Sequence, residues 1–274
     1  MKNGAGPSEM PPQPSIFFTE KGGPFLQTLQ TFFEAHPVVA VALSGGVDST
    51  YLFYEASRYA KQVHGYFLET PFQPARERRD VERIAALVDA PVTVLSKDVL
   101  ADAAVAENGS RRCYWCKRSL FSCLCEAAAK DGFSVVLDGT NASDDITDRP
   151  GMQALEEFGV LSPLRLCGMT KAKIRASARA AGLFTADKPA YACLATRVPT
   201  GEPITYAALQ CIEQAEDVLD RLGFSDYRVR LYHGAARIQL PESQLARAIE
   251  LRQEILTALQ PSFEAVLLDL QPRP

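Results

Sequence analysis

The chain has 274 residues, 47% of them apolar and 23% charged, as in an ordinary soluble globular protein. That length allows one large domain, or a domain with a smaller companion, and a sizeable core either way. A net charge of −4 argues against nucleic acid as the partner of the whole chain, and no apolar run approaches a membrane span.

The N-terminal stretch, Met1 to Pro14, is rich in Gly, Pro and polar residues and lacks the apolar core of a signal peptide. A disordered tail over 1–18 and a cytoplasmic protein are expected. Pro24 to Ala35 carries apolar residues at helical spacing and closes at His36-Pro37. A valine-rich run, Val38 to Val41, then reads as a buried parallel strand. It ends in Ser44-Gly45-Gly46-Val47-Asp48-Ser49, where a helix begins near Asp48. Two glycines let the backbone turn sharply and approach a ligand, and Ser44 and Ser49 offer hydroxyls. The free N–H groups of the turn and first helical turn converge with the positive helix end behind them, which suits phosphate. A Walker loop would be longer and would carry a Lys. Ser-Gly-Gly-Val-Asp-Ser instead resembles the PP-loop of ATP pyrophosphatases, which cleave ATP between the α- and β-phosphates to adenylylate a substrate.

Further along, Gln62 to Leu68 reads as a strand, Glu77 to Val88 as an amphipathic helix and Val92 to Leu95 as a strand. A helix is expected from about Arg118 to Lys130, a strand over Ser134 to Asn141, an extended Leu161 to Leu164, and a helix from Lys171 to Ala181. Such alternation predicts an α/β fold, a parallel sheet with helices on both faces, its ligand beyond the carboxyl ends of the strands. From Thr205 the pattern changes to a helix (Thr205 to Leu222), a hairpin turning at His233-Gly234, a helix (Glu242 to Leu259) and a strand (Ala265 to Leu270). The expected boundaries are a nucleotide domain over 19–200 and a small α+β domain over 201–274.

Seven cysteines in a reducing compartment do not read as a disulfide framework. Cys123, Cys125, Cys167 and Cys211 lie in patterns that suit core packing. Cys113-Tyr114-Trp115-Cys116 differs, because Arg111, Arg112, Lys117 and Arg118 surround it and cations favour thiolate. Such a pair suits a redox couple, half a zinc site, or two ligands of an iron–sulfur cluster. His36, His64 and His233 lack zinc-ligand spacing. With Cys193 as third thiol, a 4Fe–4S cluster would keep one iron open for an extra sulfide. Asp48, Asp144, Asp145 and Asp148 are candidates to position Mg²⁺, and Glu213 and Glu216 read as a solvated face.

Taken together, the PP-loop, Arg112-Cys113-Tyr114-Trp115-Cys116-Lys117, Asp138-Gly139-Thr140-Asn141, Ser162-Pro163-Leu164, Thr170-Lys171, Asp187-Lys188-Pro189 and Ala192-Cys193-Leu194-Ala195-Thr196-Arg197 resemble the LarE family. These are PP-loop sulfur transferases that build the nickel-pincer nucleotide cofactor. The resemblance implies a fold of the adenine nucleotide alpha hydrolase kind, ATP and Mg²⁺ as cofactors, and pyridinium-3,5-biscarboxylic acid mononucleotide as substrate. ATP would adenylylate its carboxylate, and sulfur would then replace AMP to leave a thiocarboxylate. Ser44, Gly45, Gly46, Val47, Asp48 and Ser49 would hold the pyrophosphate, and Arg197 a phosphate or the substrate carboxylate. Cys193 corresponds to the sulfur-bearing cysteine. In one branch that cysteine is sacrificed and becomes dehydroalanine. In the other, three cysteines hold a 4Fe–4S cluster that delivers sulfide from a donor, and Cys113, Cys116 and Cys193 match this branch. A homo-oligomer, hexameric by analogy, is also implied. The chain departs from the family at Ala186, where Trp is usual, and at Thr200, where Tyr is usual. A PP-loop tRNA thiolase is the nearest alternative, and the net charge counts against it.

Overall fold

The computed structural model describes residues 28–145 and 150–273. The tail over 1–18, the Pro24 start of the first helix, and Asp148 with Arg149 lie outside the described residues. Helix α1 (Leu29–Ala35) is capped by Thr28, whose hydroxyl accepts from the Thr31 N–H at 3.2 Å, while the Thr31 hydroxyl accepts from the Thr28 N–H. Strand β1 (Val38–Leu43) follows, with Val39, Ala40 and Val41 fully buried because both faces of the strand are covered. Next come α2 (Val47–Tyr59), β2 (Gln62–Glu69), α3 (Ala75–Val88), β3 (Val92–Ser96), the single turn α4 (Ala103–Ala106), α5 (Arg112–Lys130) and β4 (Val136–Leu137). The four strands are parallel in the order β3-β2-β1-β4.

Three segments before Thr170 differ from expectation. Helix α5 starts at Arg112 rather than near Arg118, so both thiols of the CxxC sit on the helix itself. Tyr114, Phe121, Leu124 and Ala128 form its buried face, which continues the helical period back past the cysteines. The strand expected over Ser134 to Asn141 keeps only Val136 and Leu137, with Leu161 bridged beside Leu137. Beyond that bridge, α6 (Pro150–Glu157) and the one-turn α7 (Pro163–Leu166) are helical. Pro163 occupies the first helical position, where its fixed φ and missing N–H cost nothing, so of the expected extended stretch Leu161 to Leu164 only Leu161 keeps strand pairing. Helix α8 (Lys171–Ala180) packs Ile174 and Ala178 with Phe33, Leu52 and Ile84 on one face of the sheet, while Phe121, Leu124 and Leu155 cover the other. Each such buried side chain stabilises the fold by about 1.5–3 kcal/mol.

After two turns of 3₁₀ helix, Phe184–Asp187 and Leu194–Arg197, comes α9 (Tyr206–Arg221). Strands β5 (Arg228–Tyr232) and β6 (Ala235–Gln239) form an antiparallel hairpin whose turn residues, His233 and Gly234, both have positive φ (48° and 78°). That matches the right-handed twist of the strands. In place of one helix over Glu242 to Leu259 stand α10 (Glu242–Glu250) and α11 (Arg252–Leu259), broken at Leu251. Strand β7 (Val266–Leu268) pairs parallel with β6. Helix α9 joins the two sheets. Leu209 and Ile212 pack with Phe72, Val105 and Leu194, whereas Ala215 and Leu219 pack with Val229 and Ile238. Among the described residues no helix is long and apolar enough to cross a membrane.

Candidate active site

The site forms where β1 ends. Gly45 turns the chain with φ +70°, and a Cβ there would stand 3.3 Å from the Glu77 carbonyl, so glycine serves both conformation and close approach. On the other side Gly139 lies against α2, where a Cβ would meet the Ser49 nitrogen at 2.9 Å. That contact explains Asp138-Gly139-Thr140, whose Asp138 accepts from the Ser162 and Thr140 hydroxyls at 2.6 and 2.5 Å. Within the loop the Ser44 N–H donates to Ser49 Oγ at 3.1 Å, and the two hydroxyls are also 3.1 Å apart. The loop is therefore stiff before any ligand arrives.

A cavity of about 310 Å³ opens on this loop. Ser44, Gly46, Val47 and Asp48 line it together with Gln73, Glu77, Lys171, Lys188, Tyr191 and Cys193. Lys171 Nζ donates to Asp48 Oδ2 at 2.6 Å, and Asp48 Oδ1 is buried without a hydrogen-bond partner among the described residues. Lys188 Nζ donates to Asp80 Oδ2 at 2.5 Å and to the Gly45 carbonyl at 3.0 Å. Arg175 holds the segment that carries it, donating to the Ala186 and Lys188 carbonyls at 2.5 and 2.7 Å. Glu77 is 8% exposed, and burial pushes its carboxyl up to about 7 against the pull of Lys188 and Arg76. Asp144, a candidate Mg²⁺ ligand, faces its own turn instead, accepting from the Asn141 N–H at 2.9 Å.

Cys193 lines the same cavity from the stretch between the two 3₁₀ turns. It packs with Cys116 and Trp115 against Leu194 and Ala195, and Cys113 is exposed nearby. The thiols are close enough to act on one another: Cys193 and Cys113 both raise Cys116, and Cys113 raises Cys193. For Cys116 the surrounding cations do not prevail as expected. Burial outweighs Arg112 and Lys117, pushing Cys116 up to about 12, and it raises Cys193 against Arg112 and Arg197. Among the described residues no three His, Cys, Asp or Glu side chains stand as a metal-ligand group. The other four cysteines pack at the edges of apolar clusters.

Arg197 does not line the cavity. It is 1% exposed and pairs with Glu216 at 2.9 Å, while Nη1 donates to the Ala192 carbonyl at 2.7 Å and to Thr196 Oγ1 at 2.9 Å. It holds the Cys193 segment in place and does not present itself to a ligand. Glu216, read as solvated, is equally buried and also accepts from the Val229 N–H at 3.1 Å. An ion pair across 19 residues has no local pattern, so neither role was legible. Lys171 and Lys188 stand in motifs of the sequence that carry no stated role, and Glu77 offers no signal of one.

A phosphate-ready loop at the carboxyl end of a parallel strand, with lysines and a cysteine in one cavity, defines a PP-loop nucleotide-binding protein. Comparison with known proteins agrees: residues 27–148 match the asparagine synthase family. The chain is 31% identical over 235 residues to the pyridinium-3,5-bisthiocarboxylic acid mononucleotide synthase of Lactiplantibacillus plantarum, covering 85% of each. It is 34% identical to an uncharacterized protein of Synechocystis sp. over 90% of this chain and 93% of that one. An uncharacterized protein of Methanocaldococcus jannaschii is 30% identical, with 85% and 89% covered. The chain belongs to the LarE family, ATP-dependent sulfur transferases of the PP-loop class.

Proposed function

We propose that the protein adenylylates a carboxylate of pyridinium-3,5-biscarboxylic acid mononucleotide and converts it to a thiocarboxylate. The observation that carries this is a single cavity holding the PP-loop on one wall and Cys193 on another. A carboxylate oxygen bonds to the α-phosphorus of ATP, the bond to the β-phosphate oxygen breaks, and pyrophosphate leaves into the cradle of Ser44–Ser49 N–H groups. Sulfur then bonds to the carbonyl carbon as AMP leaves. The partnerless Asp48 Oδ1 fits Mg²⁺, which would offset the pyrophosphate charge. Lys171 and Lys188 already face the phosphate wall.

An anionic substrate suits the junction beside the cavity. There the guanidiniums of Arg76 and Arg228 lie 4.1 and 5.0 Å from the centre of the Tyr191 ring, and the buried Arg197, 4.5 Å from it, adds its charge without facing a ligand. Glu216 pairs with Arg76 and Arg197, and Asp226 lies 3.7 Å from Arg228. Burial, then the neighbouring Arg197 and Arg273, draw Arg228 down to about 10 against the opposing pull of Glu216 and Asp226.

Cys113, Cys116 and Cys193 would supply three thiolates to a 4Fe–4S cluster, which when bound would carry the sulfide. A second reading is favoured by Cys193 alone lining the cavity. Its sulfur would bond to the carbonyl carbon as AMP leaves. Loss of the Cys193 α-proton would then break Cβ–Sγ, releasing the thiocarboxylate and leaving dehydroalanine. Iron and acid-labile sulfide, measured on protein purified without oxygen, test the two. About four irons per chain, lost in Cys193→Ala, are expected for the cluster. No iron after reconstitution, with dehydroalanine at position 193 after one turnover, would overturn the cluster and establish the sacrificial thiol.

A further inference from the structure

Apolar packing brings Cys116 and Cys193 to one cluster, yet apolar contact alone does not fix how two segments are oriented. The orientation is set by polar groups centred on Asn108, which is fully buried and left-handed at φ +56°. Its Nδ2 donates to the Pro199 carbonyl at 2.8 Å and the Glu202 carbonyl at 3.0 Å, and its own carbonyl accepts from the Gly201 N–H at 2.9 Å. Its Oδ1 accepts from Arg112 Nη1 at 2.5 Å. That same nitrogen donates to the Ala195 carbonyl at 3.0 Å, and Nη2 stands 3.4 Å from Cys113 Sγ. One guanidinium thus bridges segments 83 residues apart, one holding the CxxC and the other Cys193. Its charge also acts on the Cys116 and Cys193 thiols, opposing burial at each.

We infer that Asn108 and Arg112 are positioning residues: Asn108 orients Arg112, whose guanidinium ties the Cys193 segment to the Cys113–Cys116 turn so that three thiols form one group. The inference rests on treating those cysteines as one functional unit. A planar fork of five donors reaches two oxygens and a sulfur at once, whereas a lysine ammonium supplies the same charge from one point. Arg112→Lys therefore separates geometry from charge.

The test is dibromobimane bridging of the reduced, iron-free full chain, read by mass spectrometry of the linked peptides. Wild type is expected to join the peptide carrying Cys113 and Cys116 to the one carrying Cys193. Arg112→Lys should lower that product about fivefold, the change that one lost hydrogen bond gives, and Asn108→Asp, which loses both donations of Nδ2, by at least as much. The bridge between Cys113 and Cys116, three apart on one helix, should persist in both. Pyrophosphate binding at the PP-loop should be unchanged and reports that the variants fold. If Asn108→Asp fails to bind pyrophosphate, Arg112→Lys, whose side chain is half-buried, decides alone. Wild-type bridging in Arg112→Lys overturns the tether. No bridge to Cys193 in wild type overturns the three-cysteine unit itself, a different failure.

Discussion

The phosphate wall and the thiol wall of this cavity are made in opposite ways. The PP-loop is six consecutive residues whose conformation closes on itself, serine to serine and glycine turn to helix start. The thiol wall is borrowed from distant segments. The carbonyls of Ala190, Ala192, Ala195 and Thr196 accept from Arg228, Arg197, Arg112 and Arg230 respectively. An anion cradle needs only backbone N–H groups, which any chain supplies once it turns correctly. A cluster of thiols needs its backbone held at several points, because burial raises two of them and nothing in the thiols themselves draws them together.

The strongest way to break this contrast is at Glu216, which accepts from Arg197, Tyr191 and the Val229 N–H in a buried junction. Glu216→Ala leaves the Arg197 charge buried without its partner, at a cost of about 3–5 kcal/mol. Urea denaturation monitored by circular dichroism should show that loss, with the PP-loop still binding pyrophosphate wherever the variant is folded. A change below about 1 kcal/mol would mean that the arginines are not what secures the thiol wall.

The same contrast decides what the sequence made legible. The parallel sheet, the PP-loop and the hairpin each follow from neighbours in the chain, so the order of strands and helices and the residues Ser44 to Ser49 could be named in advance. Cys116 and Cys193 could be named from their types and setting, but not their burial, because the apolar residues that enclose them come from Phe72, Val99 and α9. Arg197 was taken for a ligand-binding cation because a buried arginine and a ligand-facing one look alike until Glu216 is seen opposite. Asn108 offers no signal beyond its place before Gly109, and its contacts reach across 90 residues or more.

Glu77 sharpens the comparison, since it is the buried charge of the phosphate wall and lacks a guanidinium clamp like that on Glu216. Its carboxyl is raised from 4.5 to about 7 by burial, so the native state binds its proton more tightly than the unfolded chain does. The resulting penalty is absent below about pH 4.5, grows as pH rises through that window, and is complete above about pH 7. Its full size is about 3 kcal/mol. Glu77→Gln should therefore gain stability relative to wild type at about pH 8 and gain little at about pH 5 in paired urea titrations. An equal difference at the two pH values would show that Glu77 keeps an ordinary carboxyl in the folded protein.

The smallest expected effect lies at Lys171, which α8 places against Asp48 at the mouth of the PP-loop. Its side chain is about one-third exposed, so water weakens the pair, and its removal should not unfold the chain. With the ammonium gone, Asp48 meets the incoming triphosphate as a like charge, and one charge-assisted contact to phosphate is lost. Lys171→Met should raise the KM for ATP in pyrophosphate release about tenfold, with kcat falling less. The bridge to Cys193 should stay at its wild-type yield, because Arg228, Arg197, Arg112 and Arg230, which hold the carbonyls of Ala190 to Thr196, lie outside α8. A fall in kcat alone would instead place Lys171 against the transition state, with its main contact on the phosphorus being transferred and the ground-state pair with Asp48 secondary.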